Sequence, residues 1–467
     1  MRRESDGWQV ERLRLEKSGS RFFFSLAFDC PNLLSKKGEE MIDSRIHWSS
    51  RLAFVMAASG SAVGLGNIWK FPYIAGTNGG GAFVLVYLLC IALVGVPIFM
   101  AELFIGSQSQ ANTIRSFEIL DRPKSPWRVI GWMGLISAVL ILSFYSVVGG
   151  WVLEFEWLAL SGQLTTASAE ETQSFLSRLF SSPGKMLFWH FIFMGLVVGI
   201  ALGGIKKGLE RWNNILMPTL IALLFILLVY AIQLDGFGKS LSFLFSFHWE
   251  DLSRAGLLEA VGHAFFTLSL GMGAIITYGS YLKTQDKIGR IAVSVAFLDT
   301  LIALIAGIII FSIVFSFGGE AGQGPTLMFQ TLPLLFLQMP GSQWIAILFF
   351  LLVAVAALTS AVSLLEVVVT YWEEKYSTSR RRAVLLWGGA IYVLGILAAL
   401  SFNSLSELKW MGMTFFDLAD TLTSSYLLPI GGLLIALFFG WKLLPKGLSV
   451  VFEKPGSLSA QAIMWST

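Results

Sequence analysis

Apolar residues fall in long blocks along this chain, and the polar residues between them fall in short charged clusters. A membrane-crossing helix needs ~20 mostly apolar residues. Ten blocks reach that length, at about 50–76, 80–106, 129–161, 186–205, 211–234, 256–282, 288–317, 342–372, 383–401 and 411–441. All are far longer than the ~10-residue alternating segments of a membrane barrel, so the pattern predicts helices. Composition agrees: of 467 residues, 55% are hydrophobic and 13% charged. An ordinary soluble domain carries roughly 25% charge. A soluble globule of this length could not cover so much apolar surface, and disordered chains are apolar-poor. The expected fold class is an all-α membrane protein with about ten transmembrane helices.

Charge adds an orientation. Arg115, Arg122, Lys124 and Arg128 follow the second block, and Lys206, Lys207 and Arg211 follow the fourth. Lys283, Lys287 and Arg290 follow the sixth, and Lys375, Arg380, Arg381 and Arg382 follow the eighth. The alternate stretch 318–341 has no Lys or Arg. Cytoplasmic loops carry the basic excess, so both termini are expected in the cytoplasm of a multi-pass cell-membrane protein, with a bacterial inner membrane the expected location. Net charge is +3, which suggests no nucleic-acid partner. Cys30 lies in a polar tail and Cys90 in an apolar block, so no disulfide framework is expected. No Asn-x-Ser/Thr acceptor occurs. No cleavable signal peptide is expected, because the first long apolar block begins near Leu52. Residues 1–45 read as a cytoplasmic tail with Met41 a candidate start, and 446–467 as a second tail. Between them, 46–234 and 235–445 read as two five-helix repeats.

Two blocks are dense in glycine and small residues. The first holds Ser59-Gly60-Ser61-Ala62-Val63-Gly64-Leu65-Gly66-Asn67, and the sixth holds Thr267-Leu268-Ser269-Leu270-Gly271-Met272-Gly273. Close packing of helices through small residues is one reading of either block alone. Together they open two sets of five spans, and because five is odd the second set is inverted. Broken first helices in two inverted halves point to a binding site at the membrane midplane. Unwound backbone is tolerated at that depth only where it lines a cavity or binds something.

The run from Ala62 through Val63, Gly64, Leu65, Gly66, Asn67, Ile68, Trp69, Lys70 and Phe71 to Pro72, followed by Asn78-Gly79-Gly80-Gly81-Ala82-Phe83, resembles the first-helix signature of the neurotransmitter:sodium symporters. Phe265-Phe266-Thr267-Leu268-Ser269-Leu270-Gly271 is similar to that family's sixth-helix signature. The likeness runs from about Arg45 to Pro445 and is nearest to the bacterial amino-acid branch. It implies a five-plus-five inverted-repeat transporter fold with discontinuous helices 1 and 6. It also implies sodium-coupled import of an amino acid, two sodium ions and no organic cofactor, and a monomer or homodimer in the bilayer.

The residues follow from the same resemblance. A first sodium maps onto Ala62, Asn67, Thr267 and Asp299, with the substrate carboxylate as a further ligand. A second maps onto the carbonyls of Gly60, Val63 and Ala356 and the hydroxyls of Thr359 and Ser360. Without the family, such hydroxyls would be expected to bond back to the preceding turn. Asp299 stands where many relatives have Asn. Bare intramembrane carboxylates default to functional roles, so Asp299 is expected to supply the fixed charge that chloride supplies, near the position of Tyr87, in other members. Ala303 stands where some chloride-independent relatives have Glu. His263 stands where Gln is frequent; a satisfied structural histidine is the preferred reading, a shared proton the other.

For the substrate, Leu65 and Gly66 N–H groups and the Tyr145 hydroxyl are expected to meet a carboxylate, helped by the positive end of a half-helix. The carbonyls near Phe266, Thr267 and Ser269 would meet the ammonium, and Ala62 is expected to line the same site. Gly64 replaces the Asp of monoamine carriers, which favours an α-amino acid. Ile141, Val148, Phe266, Met272 and Leu364 form an apolar subsite edged by Ser360 and Ser363, so a hydrophobic or aromatic side chain is expected. Lys70 and Asp420 match the outer gate, with Lys in place of the usual Arg and hence a looser pairing; Phe266 over Tyr145 is the lid beneath. Arg45, Trp48, Tyr281 and Glu374 match the inner gate, though snorkelling charges at the interface look the same in sequence. Gly208 and Pro218 in span 5 match a Gly-x9-Pro pattern of the family, which reads equally as a segment able to unwind towards the second sodium and as a proline kink without that role.

Other classes have less support. No His-Glu-x-x-His, Gly-x-Ser-x-Gly or phosphate-binding glycine loop occurs, so catalysis is not expected. No filter loop of a channel is visible. A sensor, or an inactive truncated homologue that binds an amino acid without flux, is the alternative, because family members usually carry one or two further spans.

Overall fold

Long apolar runs with intact backbone ladders give long helices, because in hydrocarbon every N–H and C=O must be paired within the segment. The computed structural model describes residues 47–283, 286–322 and 327–443. Arg45, the N-terminal tail with Met41 and the tail 446–467 lie outside the described residues. Regular structure among the described residues is helical, apart from one isolated bridge between Trp410 and Met413.

Among the described residues eight helices are long and apolar enough to cross a membrane: α3 Gly81–Ser109, α4 Arg128–Leu160, α5 Pro183–Leu202, α6 Ile205–Ile232, α9 Ile288–Ser316, α10 Ser342–Tyr376, α11 Arg380–Leu400 and α12 Phe415–Leu443. The remaining two expected spans are the glycine-dense ones, and both are broken. The first consists of α1 Arg51–Ala62 and α2 Gly66–Thr77, bent by 49°. The sixth consists of α7 Arg254–Thr267 and α8 Ala274–Gly279. Each broken span opens a set of five.

Local chemistry explains the breaks. Ser50 caps α1 by accepting from Ala53 N–H at 3.1 Å, and Ser253 caps α7 by accepting from Gly256 N–H at 2.9 Å. Val63 then turns extended (φ −72°, ψ 109°) and stops α1. Between α7 and α8, Ser269, Gly271 and Gly273 take φ of 55°, 74° and 77°. Two of these three are glycine, the residue for which left-handed backbone costs least. At the start of α2 the ladder widens, with Phe71 N–H donating five residues back to Gly66 C=O. Such wide turns recur at functional sites.

The core lies around α4 and α10, which pack against each other more extensively than any other pair. Outward faces carry Phe191, Phe225, Phe297 and Leu433, all more than half exposed, as a bilayer-facing surface requires. Trp344 and Trp441 stand exposed near helix ends, where interfacial tryptophans sit. The segment Gly208–Pro218 lies within α6. It is helical throughout, with a wide turn over Ile205–Glu210 followed by a regular ladder that carries Pro218.

Candidate functional site

The two breaks face each other across a hollow with about 310 Å³ of atom-free space, its opening included. From the first break Ala62, Gly64 and Gly66 line it; from the second, Phe266, Ser269 and Met272. Ile141 and Tyr145 on α4, and Ser360 and Leu364 on α10, complete the wall. These ten were expected. Leu65 and Val148 were also expected there, but they line a second, outer hollow instead, and Thr267 turns away towards Asp299. Ser61 lines the hollow without having been anticipated; its hydroxyl donates to Ser363 at 2.8 Å and its carbonyl accepts from Ser269 at 2.8 Å.

A polar collar surrounds Gly64. Its N–H donates to Asn67 Oδ1 at 2.9 Å, and the neighbouring Leu65 N–H donates to the Tyr145 hydroxyl oxygen at 3.1 Å. Tyr145 thus keeps its own proton for another acceptor. A Cβ at Gly64 would lie 2.4 Å from Ser360 Oγ and 2.8 Å from the Tyr145 hydroxyl. A side chain there would have to displace both. The Phe266 carbonyl, expected to face a substrate, accepts from Ser269 N–H at 3.1 Å and also from Leu268 N–H.

Two oxygen clusters flank the hollow. In the first, Asn67 Nδ2 donates to Asp299 Oδ1 at 2.8 Å and to Thr267 Oγ1 at 3.1 Å. The Thr267 hydroxyl lies 3.1 Å from each Asp299 carboxylate oxygen. All three side chains are buried, and no Lys or Arg pairs with Asp299 among the described residues. In the second, Ser360 Oγ lies 3.3 Å from the Gly60 carbonyl and 3.1 Å from that of Val63. Thr359 Oγ1 lies 3.0 Å from the Ala356 carbonyl and 3.5 Å from that of Val63. The five expected groups therefore meet, although α1 and α10 are remote in sequence. Hard oxygen donors of low total charge are what a small alkali or alkaline-earth cation takes.

His263 is buried between Phe71 and Tyr87, with ring centroids 6.0 and 5.3 Å away, and neither nitrogen has a hydrogen-bond partner among the described residues.

Above the hollow, Phe266 and Tyr145 line both the inner and the outer space and form the partition between them. The outer space, about 380 Å³, is closed by Lys70 and Asp420 at 3.4 Å. Ser424 bridges the pair, donating to Asp420 at 2.8 Å and accepting from Lys70 at 3.4 Å. The Lys70 ammonium also stands 4.7 Å from the Phe266 ring centre, so these two side chains are in direct contact.

Below, Trp48 is buried against Phe54, Tyr278 and Tyr281, and its indole N–H donates to the Tyr278 carbonyl at 3.3 Å. Glu374 accepts from Asn112 N–H at 2.8 Å and from the Asn112 amide at 2.7 Å. Arg45 lies outside the described residues.

Sequence reasoning missed a second ionic closure. Arg380 grips the fully buried Glu366 with two N–H groups at 2.5 and 3.1 Å, and Tyr281 donates to the same carboxylate at 3.0 Å. It also missed Glu102, buried on α3, which accepts from Gly271 N–H at 2.7 Å and so pins the second break. The only signal for either was an acid inside an apolar block.

Comparison with known proteins agrees with this geometry. The model of the sodium:neurotransmitter symporter family matches residues 45–176 and 170–444. The chain is 40% identical to an uncharacterized sodium-dependent transporter, YhdH, of Bacillus subtilis, over 90% of this chain and 93% of that one. It is 35% identical to an uncharacterized sodium-dependent transporter of Haemophilus influenzae, over 85% of this chain and 89% of the other. A crystal structure of MhsT in complex with L-phenylalanine superposes with a TM-score of 0.85 at 46% identity, over 90% of this chain and 96% of that chain. This chain therefore belongs to the sodium:neurotransmitter symporter family and is a multi-pass, sodium-dependent transporter.

Proposed function

We propose that the chain imports a hydrophobic or aromatic α-amino acid together with sodium, by alternating access and without chloride. The observation that carries this reading is the collar around Gly64. It offers Tyr145 and the broken turn to a carboxylate, while Gly64 at its centre brings no side-chain carboxylate of the protein's own and is crowded by Ser360 and Tyr145. The anion must come with the substrate, as in an amino acid and not in an amine. Ile141, Met272, Leu364 and Phe266 offer the side chain apolar walls, and the similar MhsT was crystallized with L-phenylalanine.

Sodium fits both oxygen clusters. At the first, turning the Asn67 amide over presents its oxygen beside Thr267, Asp299 and the Ala62 carbonyl, and the substrate carboxylate completes the shell. That shared ligand couples the two cargoes. Asp299 supplies the negative charge there, so chloride is not required. At the second, Gly60, Val63, Ala356, Thr359 and Ser360 supply five neutral oxygens. One charge crossing 100 mV is worth ~2.3 kcal/mol. Two sodium ions with a neutral zwitterion thus supply ~4.6 kcal/mol, enough for roughly a 10³-fold gradient. Lys70 and Asp420 close the outer path; Trp48, Tyr281 and Glu374, with Arg45, close the inner one. Residues 46–234 and 235–445 act as the two inverted repeats, with both termini in the cytoplasm.

The test is binding and uptake of an amino-acid panel by purified protein in proteoliposomes. The expected result is saturable, sodium-dependent accumulation of aromatic and large aliphatic amino acids that persists when gluconate replaces chloride. Binding without accumulation would identify a sensor or an inactive homologue instead. Loss of uptake on chloride removal would refute the role given to Asp299.

A further inference from the structure

A third hollow, of about 780 Å³, lies apart from the central site at the end of the molecule where the basic loops gather. Arg115 and Glu118 on the short helix Thr113–Leu120, Arg128 and Trp132 at the start of α4, and Tyr371 and Lys375 at the end of α10 line it. Each of its carboxylates has partners. Glu118 pairs with Arg128 at 3.5 Å, and Glu374, which also lines the cavity, accepts from two Asn112 N–H groups, neutral donors that leave its charge in place. Arg115 and Lys375 form no ion pair among the described residues. Lys375 is held in place by donating to the Tyr371 hydroxyl at 2.6 Å and by the Trp132 ring, centred 5.6 Å away. The cavity is thus lined by three cations and two carboxylates, a net charge of one positive, and Arg115 and Lys375 are the cations outside the Glu118–Arg128 pair.

The same cavity opens at the foot of an apolar stripe. Val129, Trp132 and Ile136 share one face of α4 and are 50%, 38% and 47% exposed. In a multi-pass protein such a face meets acyl chains, and Trp and Tyr mark the level of the head groups. Trp132 and Tyr371 meet edge to face at 5.4 Å beside the cavity.

We propose that this cavity binds the head group of an anionic phospholipid, with Arg115 and Lys375 on the phosphodiester and the acyl chains along Val129, Trp132 and Ile136. Arginine matches phosphate oxygens with a planar fork, and lysine adds a point charge. Basic pockets between spans on the side of the basic loops are suited to such head groups. A free phosphate would satisfy the cations but leave the adjoining stripe unused, so the lipid is the occupant the observations favour.

The experiment uses the full chain in nanodiscs of equal phosphatidylglycerol and phosphatidylcholine, released and analysed by native mass spectrometry. Wild type is expected to retain phosphatidylglycerol over phosphatidylcholine by on the order of tenfold or more. Arg115→Gln with Lys375→Gln should bring that ratio near unity, while Arg115→Lys with Lys375→Arg should keep most of it. If the double glutamine variant does not fold, the exposed Arg115→Gln alone carries the comparison. No preference in wild type, an unchanged preference in the glutamine variant, or displacement of the lipid by soluble glycerol phosphate at equal concentration would each overturn the assignment.

Discussion

Asn67 on the first broken span and Asp299 in the middle of α9 are joined by a 2.8 Å hydrogen bond, with both side chains fully buried. The bond ties a helix that is broken to one that is not. A carboxylate at this depth is costly, and Asn67 and Thr267 alone among the described residues donate to it. Such a cost is retained where a cation shares the site.

Replacing Asp299 by Asn keeps the shape and removes the charge. Sodium half-saturation of amino-acid binding is expected to rise at least ~10-fold, about 1.4 kcal/mol. The melting temperature in detergent should hold or rise, because a buried amide costs less than a bare carboxylate. A sodium titration by scintillation proximity, paired with a thermal melt, checks both. An unchanged sodium titration would mean that the charge is not used.

Gly64→Ala tests the collar. The added carbon meets Ser360 Oγ at 2.4 Å and the Tyr145 hydroxyl at 2.8 Å. Ser360 can rotate, but the Tyr145 hydroxyl is held by Leu65 N–H. Overpacking of this kind costs about 1–3 kcal/mol, and here it falls on the bound amino acid. The equilibrium dissociation constant for L-phenylalanine should weaken accordingly, while the protein still elutes as a folded species.

Arg380→Ala removes the partner of a carboxylate that has no solvent contact. Breaking a buried pair from one side costs about 3–5 kcal/mol. The variant should melt well below wild type, and Glu366→Gln added to it should restore much of the loss. Tryptophan fluorescence during heating reads both. Equal melting of the single and double variants would show that Glu366 is not left bare.

The legible part of the fold was the part the bilayer enforces. The length and helical character of the unbroken spans follow from hydropathy, because a lipid-exposed segment has no other way to pair its backbone. The breaks were legible for the complementary reason. Glycine and small residues clustered at Ser59–Asn67 and Thr267–Gly273, and the structure breaks at Val63 and over Ser269–Gly273. Helix ends were read less well: α6 begins at Ile205, ahead of the apolar block expected from residue 211, because a polar turn can still be helical.

The site was legible only through its motifs. Thr359 illustrates why: its hydroxyl does bond back to Ala356 at 3.0 Å, as the ordinary expectation holds, and it also faces Val63 across the interface. Nothing local distinguishes the two roles.

What the sequence determined by itself is therefore a membrane helix bundle, interrupted twice in matching places, because hydropathy and backbone chemistry act locally. Tertiary structure alone decided which oxygen meets which. Glu102 reaches Gly271 N–H, and Arg380 reaches Glu366, through packing between segments. A backbone donor leaves no mark in the residue type that carries it, so such pairings appear only once the helices are side by side.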